Sequence, residues 1–116
     1  MVDWKFANKL RPHNRNETMK HFIVKSMVFK LLFNRGDYVY SEYDYMKNSK
    51  IRVADIFSEG DSGHNTVVEI ETKPTVHHTA ELARFWNRET LYIIDVREVP
   101  DEIVKMEEYL KFKLGL

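Results

Sequence analysis

Acidic residues inside predicted strands are the feature of this sequence with the clearest chemical meaning. Asp55 falls in the second predicted strand, and Glu69 and Glu71 fall in the third. Strands are ordinarily poor in Asp and Glu, so acids at these positions need a physical reason. Side chains two residues apart on a strand share a face, which places Glu69 and Glu71 together. If the strands form a meander, Asp55 lies opposite this pair, and Glu42 in the first strand is a fourth acid nearby.

Carboxylates that lie this close repel one another and disturb one another's protonation unless a cation intervenes. The sequence has no cysteine, and its adjacent histidines make a poor metal pair, so a hard divalent cation with oxygen ligands is the natural partner. We therefore predict Mg²⁺ or Mn²⁺, rather than Zn²⁺, near Asp55 and Glu69. The alternative is that the acids lie on a solvated sheet face and form ion pairs with Lys47, Lys50 and Arg52.

The segments that must position these acids can be recognised from hydrophobic spacing and turn residues. A broad apolar stripe predicts a helix over 17–35, with Asn16 capping its start and Gly36 ending it. Three alternating strands follow at 37–45, 51–57 and 66–72, with a turn at 46–50 between the first two, and a helix follows at 79–86. The apolar run at 91–96 is typical of a strand at the centre of a sheet. A last helix begins after Asp101, which caps it, and ends near 112. The order α-β-β-β-α-β-α predicts an α/β domain with a mixed central sheet flanked by helices.

Length and composition exclude several classes of protein. The chain has 116 residues, 43% of them hydrophobic and 31% charged, which fits one globular domain and excludes a disordered tail. The absence of cysteine excludes disulfide scaffolds and thiol nucleophiles. Neither a glycine-rich phosphate loop nor a Gly-x-Ser-x-Gly motif occurs. With no long apolar run and no signal sequence, we expect a soluble, cytoplasmic protein.

The charges sum to zero but are segregated along the chain. Residues 1–35 carry a net charge of +6, residues 36–72 carry −5, and residues 73–116 carry −1. A basic segment beside an acidic one suits a protein that binds a polyanion and holds metal ions at carboxylates. Two solvated faces are the alternative. We predict a basic N-terminal arm over 1–16 and one domain over 17–116.

The stretch 36–73 resembles the PD-(D/E)xK nuclease superfamily, which includes restriction endonucleases and archaeal Holliday junction resolvases. Residues 52–56 read Arg-Val-Ala-Asp-Ile and residues 67–71 read Val-Val-Glu-Ile-Glu. The resemblance implies a restriction-endonuclease-like core in which Asp55 and Glu69 are metal ligands. Glu17 or Glu42 would match the additional acid that many members use.

The sequence departs from the family pattern at two positions. Ala54 replaces the proline, a position that is often relaxed. Glu71 stands where the family has a lysine that orients or deprotonates the attacking water. Lys73 has the strand parity of Glu69 and Glu71 and could supply a displaced ammonium group. The catalytic residues implied are therefore Asp55, Glu69, Glu71 and Lys73.

The resemblance implies hydrolysis of DNA phosphodiester bonds by water that one or two Mg²⁺ or Mn²⁺ ions activate. The basic residues of the first 35 would contact the DNA backbone, and a homodimer that acts on two strands is the expected assembly. The predicted nucleic-acid contacts are Arg15, Lys20, Lys25 and His21. Two other functions stay open, namely a catalytically inactive nucleic-acid-binding module on the same fold and a small interaction protein whose acids are merely solvated.

Two further groups of residues have open interpretations. One histidine of the pair His77-His78 could face the site from the start of the next helix, or both could lie on the surface. The tyrosines of the first strand could stack on nucleic-acid bases. They could equally cover a half-buried sheet face.

Overall fold

The computed structural model describes residues 2–11 and 17–116, which form three helices and one four-stranded mixed sheet. The elements are α1 (Met19–Asn34), β1 (Tyr38–Lys47), β2 (Lys50–Glu59), β3 (Asn65–Glu71), α2 (Val76–Phe85), β4 (Thr90–Asp95) and α3 (Ile103–Leu114), with a short 3₁₀ turn at Val96–Glu98. The predicted mixed α/β class is confirmed. No helix in these two ranges is long and apolar enough to cross a membrane.

The sheet has the strand order β1-β2-β3-β4, with antiparallel pairing from β1 to β3 and parallel pairing between β3 and β4. The prediction that the apolar run of β4 forms a central strand is wrong, because β4 is an edge strand. Ile94 packs towards α1 and α3, while Leu91 and Ile93 pack towards α2. A strand covered on both faces reads as continuously apolar whether it lies at the centre or at the edge.

Two hydrophobic clusters cover the two faces of the sheet. On one face, α1 and α3 pack against side chains such as Ile56 and Val68. On the other face, α2 packs against the sheet through Leu82 and Trp86, around Phe57. The N-terminal segment 2–11 joins this second face, where Ala7 is buried and the backbone N–H of Asn8 donates to the carbonyl of Val39.

Several element ends differ from the predicted ones. Thr18 caps α1, and the predicted cap Asn16 lies outside the described residues. Glu102, rather than Asp101, accepts the N-terminal N–H groups of α3. The predicted turn at 46–50 is a two-residue turn of Asn48 and Ser49, whose φ angles of 50° and 67° match the tight hairpin turn that follows strand twist.

Candidate active site

The hydrogen-bond ladder between β2 and β3 stops where the two central acids begin. Backbone pairing runs from Glu59–Asn65 to Ile56–Val68. Beyond it, Oε1 of Glu69 accepts the backbone N–H of Asp55 at 3.0 Å, and Oδ2 of Asp55 accepts the backbone N–H of Ile70 at 2.6 Å. Since both donors are fixed in the sheet, the two carboxylates are held in place by the fold itself.

The pairing on the other side of β2 is interrupted at the same residue. The β1–β2 register pairs Ser41 with Ile56 and Tyr43 with Ala54, but it skips Glu42 and Asp55 between them. Glu42 has a φ of 49°, a left-handed conformation that costs energy for a residue with a side chain. The sheet is therefore open around Asp55 towards both neighbouring strands. The sequence carried no signal for this double interruption.

The environment of the two acids differs in solvent access. The second oxygen of Glu69, Oε2, accepts the indole N–H of Trp86 at 3.3 Å, and Glu69 is only 4% exposed. The Asp55 side chain is 16% exposed. Oδ1 of Asp55 accepts no hydrogen bond within the described ranges. Every buried side-chain oxygen in these ranges has a hydrogen-bond partner, so Oδ1 is not buried and contacts solvent. Oδ1 is thus the atom that an incoming ligand can reach.

Burial makes both carboxylates reluctant to ionise. Burial and, to a smaller extent, the charge of Glu42 together raise the pKa of Asp55 to about 6, against the opposing effect of the Ile70 N–H. Burial and the charge of Asp55 together raise the pKa of Glu69 to about 8. Hydrogen bonds to Glu69 from the Asp55 N–H and Trp86 favour its charged form but do not offset burial. Within the described part of the chain, the ion-pair partner of Asp55 is His21, at a distant 3.9 Å.

A second group of acids lies beside the first, and a buried lysine lies between its two members. The ammonium group of Lys25, which has no exposed surface, is 2.8 Å from Oε1 of Glu17 and 3.5 Å from Oε2 of Glu42. His21 lies between the two groups, because Nδ1 is 2.7 Å from Oε1 of Glu17 and Nε2 is 2.9 Å from the carbonyl oxygen of Ile70. The predicted additional acids, Glu17 and Glu42, are therefore both bound to Lys25.

Glu71 and Lys73 are placed differently from what strand parity suggests. Oε1 of Glu71 is 2.8 Å from Nε2 of His78 in the first turn of α2, while His77 pairs with Glu81 at 2.7 Å. β3 ends at Glu71, and Lys73 is exposed with a φ of 56°. The strand parity that related Lys73 to Glu69 therefore does not extend to it. The residue joined to Glu71 is a histidine, whose position seven residues later at a helix start could have been a signal.

Three of the four predicted nucleic-acid contacts lie within the described residues, and the fourth, Arg15, lies outside them. Lys25 is fully buried, so a direct phosphate contact does not fit its surroundings. Lys20 pairs with Asp101 at 2.8 Å, and the His21 side chain is 17% exposed. Lys20, His21 and Lys25 therefore do not form one exposed basic surface.

The structure does not have the alternative arrangement, in which Asp55 and Glu69 lie on a solvated sheet face and pair with Lys47, Lys50 and Arg52. Lys47 pairs with Glu89 at 2.7 Å and Arg52 with Glu81 at 3.5 Å, so neither cation pairs with Asp55 or Glu69. The tyrosines of β1 lie among the aromatic side chains of the second cluster, where the ring centroids of Tyr45 and Phe57 are 5.3 Å apart. They cover a half-buried sheet face.

The donor chemistry of the site can be compared with what a divalent cation requires. Among residues 2–11 and 17–116, no group of three or more histidine or acidic side chains could hold a metal ion. Asp55 and Glu69 supply two hard carboxylates, and Mg²⁺ commonly uses one or two protein carboxylates, completing its shell with water and substrate phosphates. Asp55 and Glu69 therefore match a magnesium site in the type of donor but supply only two of its ligands.

No protein-family model, curated protein or solved structure matches the chain. Its function has to be inferred from the residues of the site.

Proposed function

We propose that this protein is a metal-dependent nuclease that hydrolyses DNA phosphodiester bonds on a restriction-endonuclease-like core. The observation that carries the proposal is the crossed pair of carboxylates, Asp55 and Glu69, at the point where the β2–β3 ladder stops. Both acids are largely buried, and burial raises both pKa values. A divalent cation held between them would compensate their charges once both are ionised.

The chain's residues have distinct parts in this proposal. Asp55 and Glu69 hold Mg²⁺ or Mn²⁺, with Oδ1 of Asp55 as the most accessible ligand atom. A bound ion of this kind lowers the pKa of its water and stabilises charge on the phosphate. Glu71 lies two residues beyond Glu69, and it orients or deprotonates the attacking water together with His78, its partner at 2.8 Å. Lys73, predicted to supply a displaced ammonium group beside Glu71, is exposed beyond the end of β3, and we propose that it contacts the substrate phosphate instead.

The resemblance in the stretch 36–73 supports the same proposal. Its acids lie in β2 and β3, as the family pattern requires, and the flanking elements are helices and strands in a mixed sheet. We further propose that the protein acts in the cytoplasm as a homodimer, in which each of two copies of the site acts on one strand. The additional acids, Glu17 and Glu42, act through Lys25 by keeping the strand around Asp55 in its irregular conformation.

A catalytically inactive nucleic-acid-binding module is the second candidate. Two observations favour it, namely that the described residues hold no three-ligand metal group and that Glu71 occupies the family's lysine position. In this case the buried pair would be a remnant of lost chemistry. Cleavage with added metal separates the two candidates.

The test is nicking of supercoiled plasmid DNA in Mn²⁺, Mg²⁺ or EDTA by the wild type and by Asp55→Asn. The matched control is Asp44→Asn, which changes an exposed acid of β1 in the same way. We expect wild type and Asp44→Asn to nick only with metal and Asp55→Asn to retain no more than a few per cent of that activity, because asparagine keeps the volume but lacks the charge.

Circular dichroism confirms that each variant is folded. Full nicking by Asp55→Asn would contradict the assignment of the site. Binding of DNA by the wild type without any metal-dependent nicking would favour the inactive module.

A further inference from the structure

We propose that a basic groove beside the β1–β2 hairpin binds the phosphodiester backbone of one nucleic-acid strand. The groove has a volume of about 680 Å³ and lies between the hairpin end and the last turn of α2. Its charged and aromatic lining consists of Lys47, Lys50, Arg52, Glu81, Arg84 and Phe85. This volume is in the range of small-ligand sites, so the groove accommodates a short stretch of one strand rather than the width of a duplex.

The hairpin turn fixes two lysines at the mouth of this groove. Asn48 and Ser49 both have positive φ angles, which produce a tight two-residue turn. The turn places Lys47 and Lys50 directly opposite each other in the β1–β2 register. Like charges at opposite positions destabilise a strand pair, and an anion bound between them removes that cost.

The cations of the groove outnumber its acids. The four lining cations face Glu81, which pairs with Arg52 at 3.5 Å, and Glu89, which pairs with Lys47 at 2.7 Å. Within the described ranges, Lys50 and Arg84 form no ion pair. Two positive charges are therefore left to attract a ligand with repeated negative charges, which is what a phosphodiester backbone offers.

An aromatic ring organises the paired cations. The ammonium group of Lys47 is 5.5 Å from the centroid of the Phe85 ring, and the guanidinium group of Arg52 is 5.9 Å from it. Lys47 also donates to the carbonyl oxygen of Phe85 at 2.8 Å. These contacts reduce the freedom of two long side chains in advance, which lowers the entropy cost of binding.

The groove also adjoins the buried carboxylate pair. Phe85 precedes Trp86, the residue that donates to Glu69, and their rings are 4.7 Å apart at a nearly perpendicular angle. On β2, Arg52 lies three residues before Asp55. Trp86 thus connects the wall of the groove with Glu69, and the inference rests on the proposed function in that it names where the substrate backbone lies.

The test is fluorescence anisotropy of short labelled oligonucleotides, single-stranded and duplex, with the full chain in EDTA. The groove variant is Lys50→Ala/Arg84→Ala. The matched control is Lys105→Ala/Lys113→Ala, which removes two exposed charges from α3, on the opposite face of the sheet; neither lysine forms an ion pair within residues 2–11 and 17–116.

Each lost phosphate contact lowers the slope of log affinity against log salt by about 0.7 to 0.9. The loss of two contacts therefore weakens binding on the order of 50-fold near 0.1 M salt. We expect this loss for the groove variant with at least one of the two oligonucleotides, while the control variant stays close to wild type.

Three other results would show that the groove does not bind nucleic acid. Equal affinity of the groove variant and wild type, equal losses in both double variants, or no DNA binding by the wild type would overturn the inference. The nicking assay distinguishes this failure from failure of the proposed function. If binding depends on the groove but the wild type does not nick DNA, the nuclease proposal is rejected and the groove is retained as the binding site. If the wild type nicks DNA and the groove variant binds with unchanged affinity, the nuclease proposal is retained and the groove is rejected.

Discussion

Two neighbouring groups of buried acids in this protein are stabilised in opposite ways. In the first, Glu17 and Glu42 share the ammonium group of Lys25 at 2.8 and 3.5 Å. In the second, Asp55 and Glu69 accept N–H groups but have no lysine or arginine among their contacts in the described part of the chain. Glu42 links them, since it lies at the same break in the β1–β2 register as Asp55 and raises the pKa of Asp55.

The difference separates a structural group from a responsive one. A buried ion pair is costly to break because either partner alone leaves an uncompensated charge. A buried acid without a cation instead takes up a proton, or a metal ion where one is available. We therefore assign a structural role to Lys25 and its two acids, and we expect sensitivity to pH and metal at Asp55 and Glu69.

The largest expected effect is a loss of stability of the metal-free protein as pH rises. A carboxyl group whose pKa is raised in the folded state binds more protons in the folded protein than in the unfolded chain. It therefore stabilises the folded protein at low pH, and this stabilisation is lost as the pH rises through the pKa of the folded state. For Asp55 and Glu69, whose pKa values are about 6 and 8, this window spans weakly acidic to weakly basic pH. The free energy of unfolding should fall by something on the order of 5 kcal/mol between about pH 5 and pH 8.

Urea unfolding in EDTA at a series of pH values measures this loss. Glu42 and Glu71 face the pair and add to the effect on Asp55, while His21 opposes it. Asp55→Asn should flatten the profile and make the metal-free protein more stable than wild type at the basic end. A wild-type profile that is flat or rises with pH would show that the two acids are not a repelling pair.

Breaking the other group should destabilise the protein at every pH. Lys25→Met keeps the length of the side chain and its helical preference but removes the ammonium group that lies between Glu17 and Glu42. We expect a loss of about 3–5 kcal/mol in the free energy of unfolding, measured with urea. The control Lys30→Met removes an exposed lysine that is 3.8 Å from Glu107, and it should cost less than about 1 kcal/mol. Similar small losses in both variants would mean that Lys25 is not structurally required.

A smaller effect of opposite sign is expected from Glu71→Lys. This change removes a charge that raises the pKa values of Asp55 and Glu69, but it also breaks the half-exposed pair with His78. The metal-free protein should melt a few degrees higher at basic pH, equivalent to about 1 kcal/mol or less. Differential scanning calorimetry measures the shift, with the exposed change Glu108→Lys on α3 as the control. A lower melting temperature for Glu71→Lys alone would place Glu71 outside the acid cluster.

The sequence was sufficient to locate the acids on their elements. Asp55 in β2 and Glu69 in β3 stand among apolar residues, and the spacing of Glu69 and Glu71 relates them to one face. The α1 helix was recognisable because its apolar stripe is long, although it begins at Met19 rather than at residue 17. Periodicity determines the type of element well, whereas its ends depend on which side chain caps the first N–H groups.

The contacts that give the site its character were not predictable, because they depend on register between distant segments. The crossed hydrogen bonds of Asp55 and Glu69 form only where the ladder between their strands ends. The partners of Lys25 come from a residue before α1 and from an irregular position in β1. The position of Lys25 within the apolar stripe of α1 indicated that this lysine could be buried, but spacing alone could not identify the two acids that pair with it.

Titration of Mn²⁺ into the metal-free protein by isothermal calorimetry at weakly basic pH tests the central claim most directly. We expect wild type and Asp44→Asn to bind Mn²⁺, and Asp55→Asn, which folds and retains the Glu17–Lys25–Glu42 group, to show no binding heat. Binding should weaken as pH falls, because protons compete for Asp55 and Glu69. No binding by wild type, or equal binding by wild type and Asp55→Asn, would contradict a metal site at the crossed carboxylates.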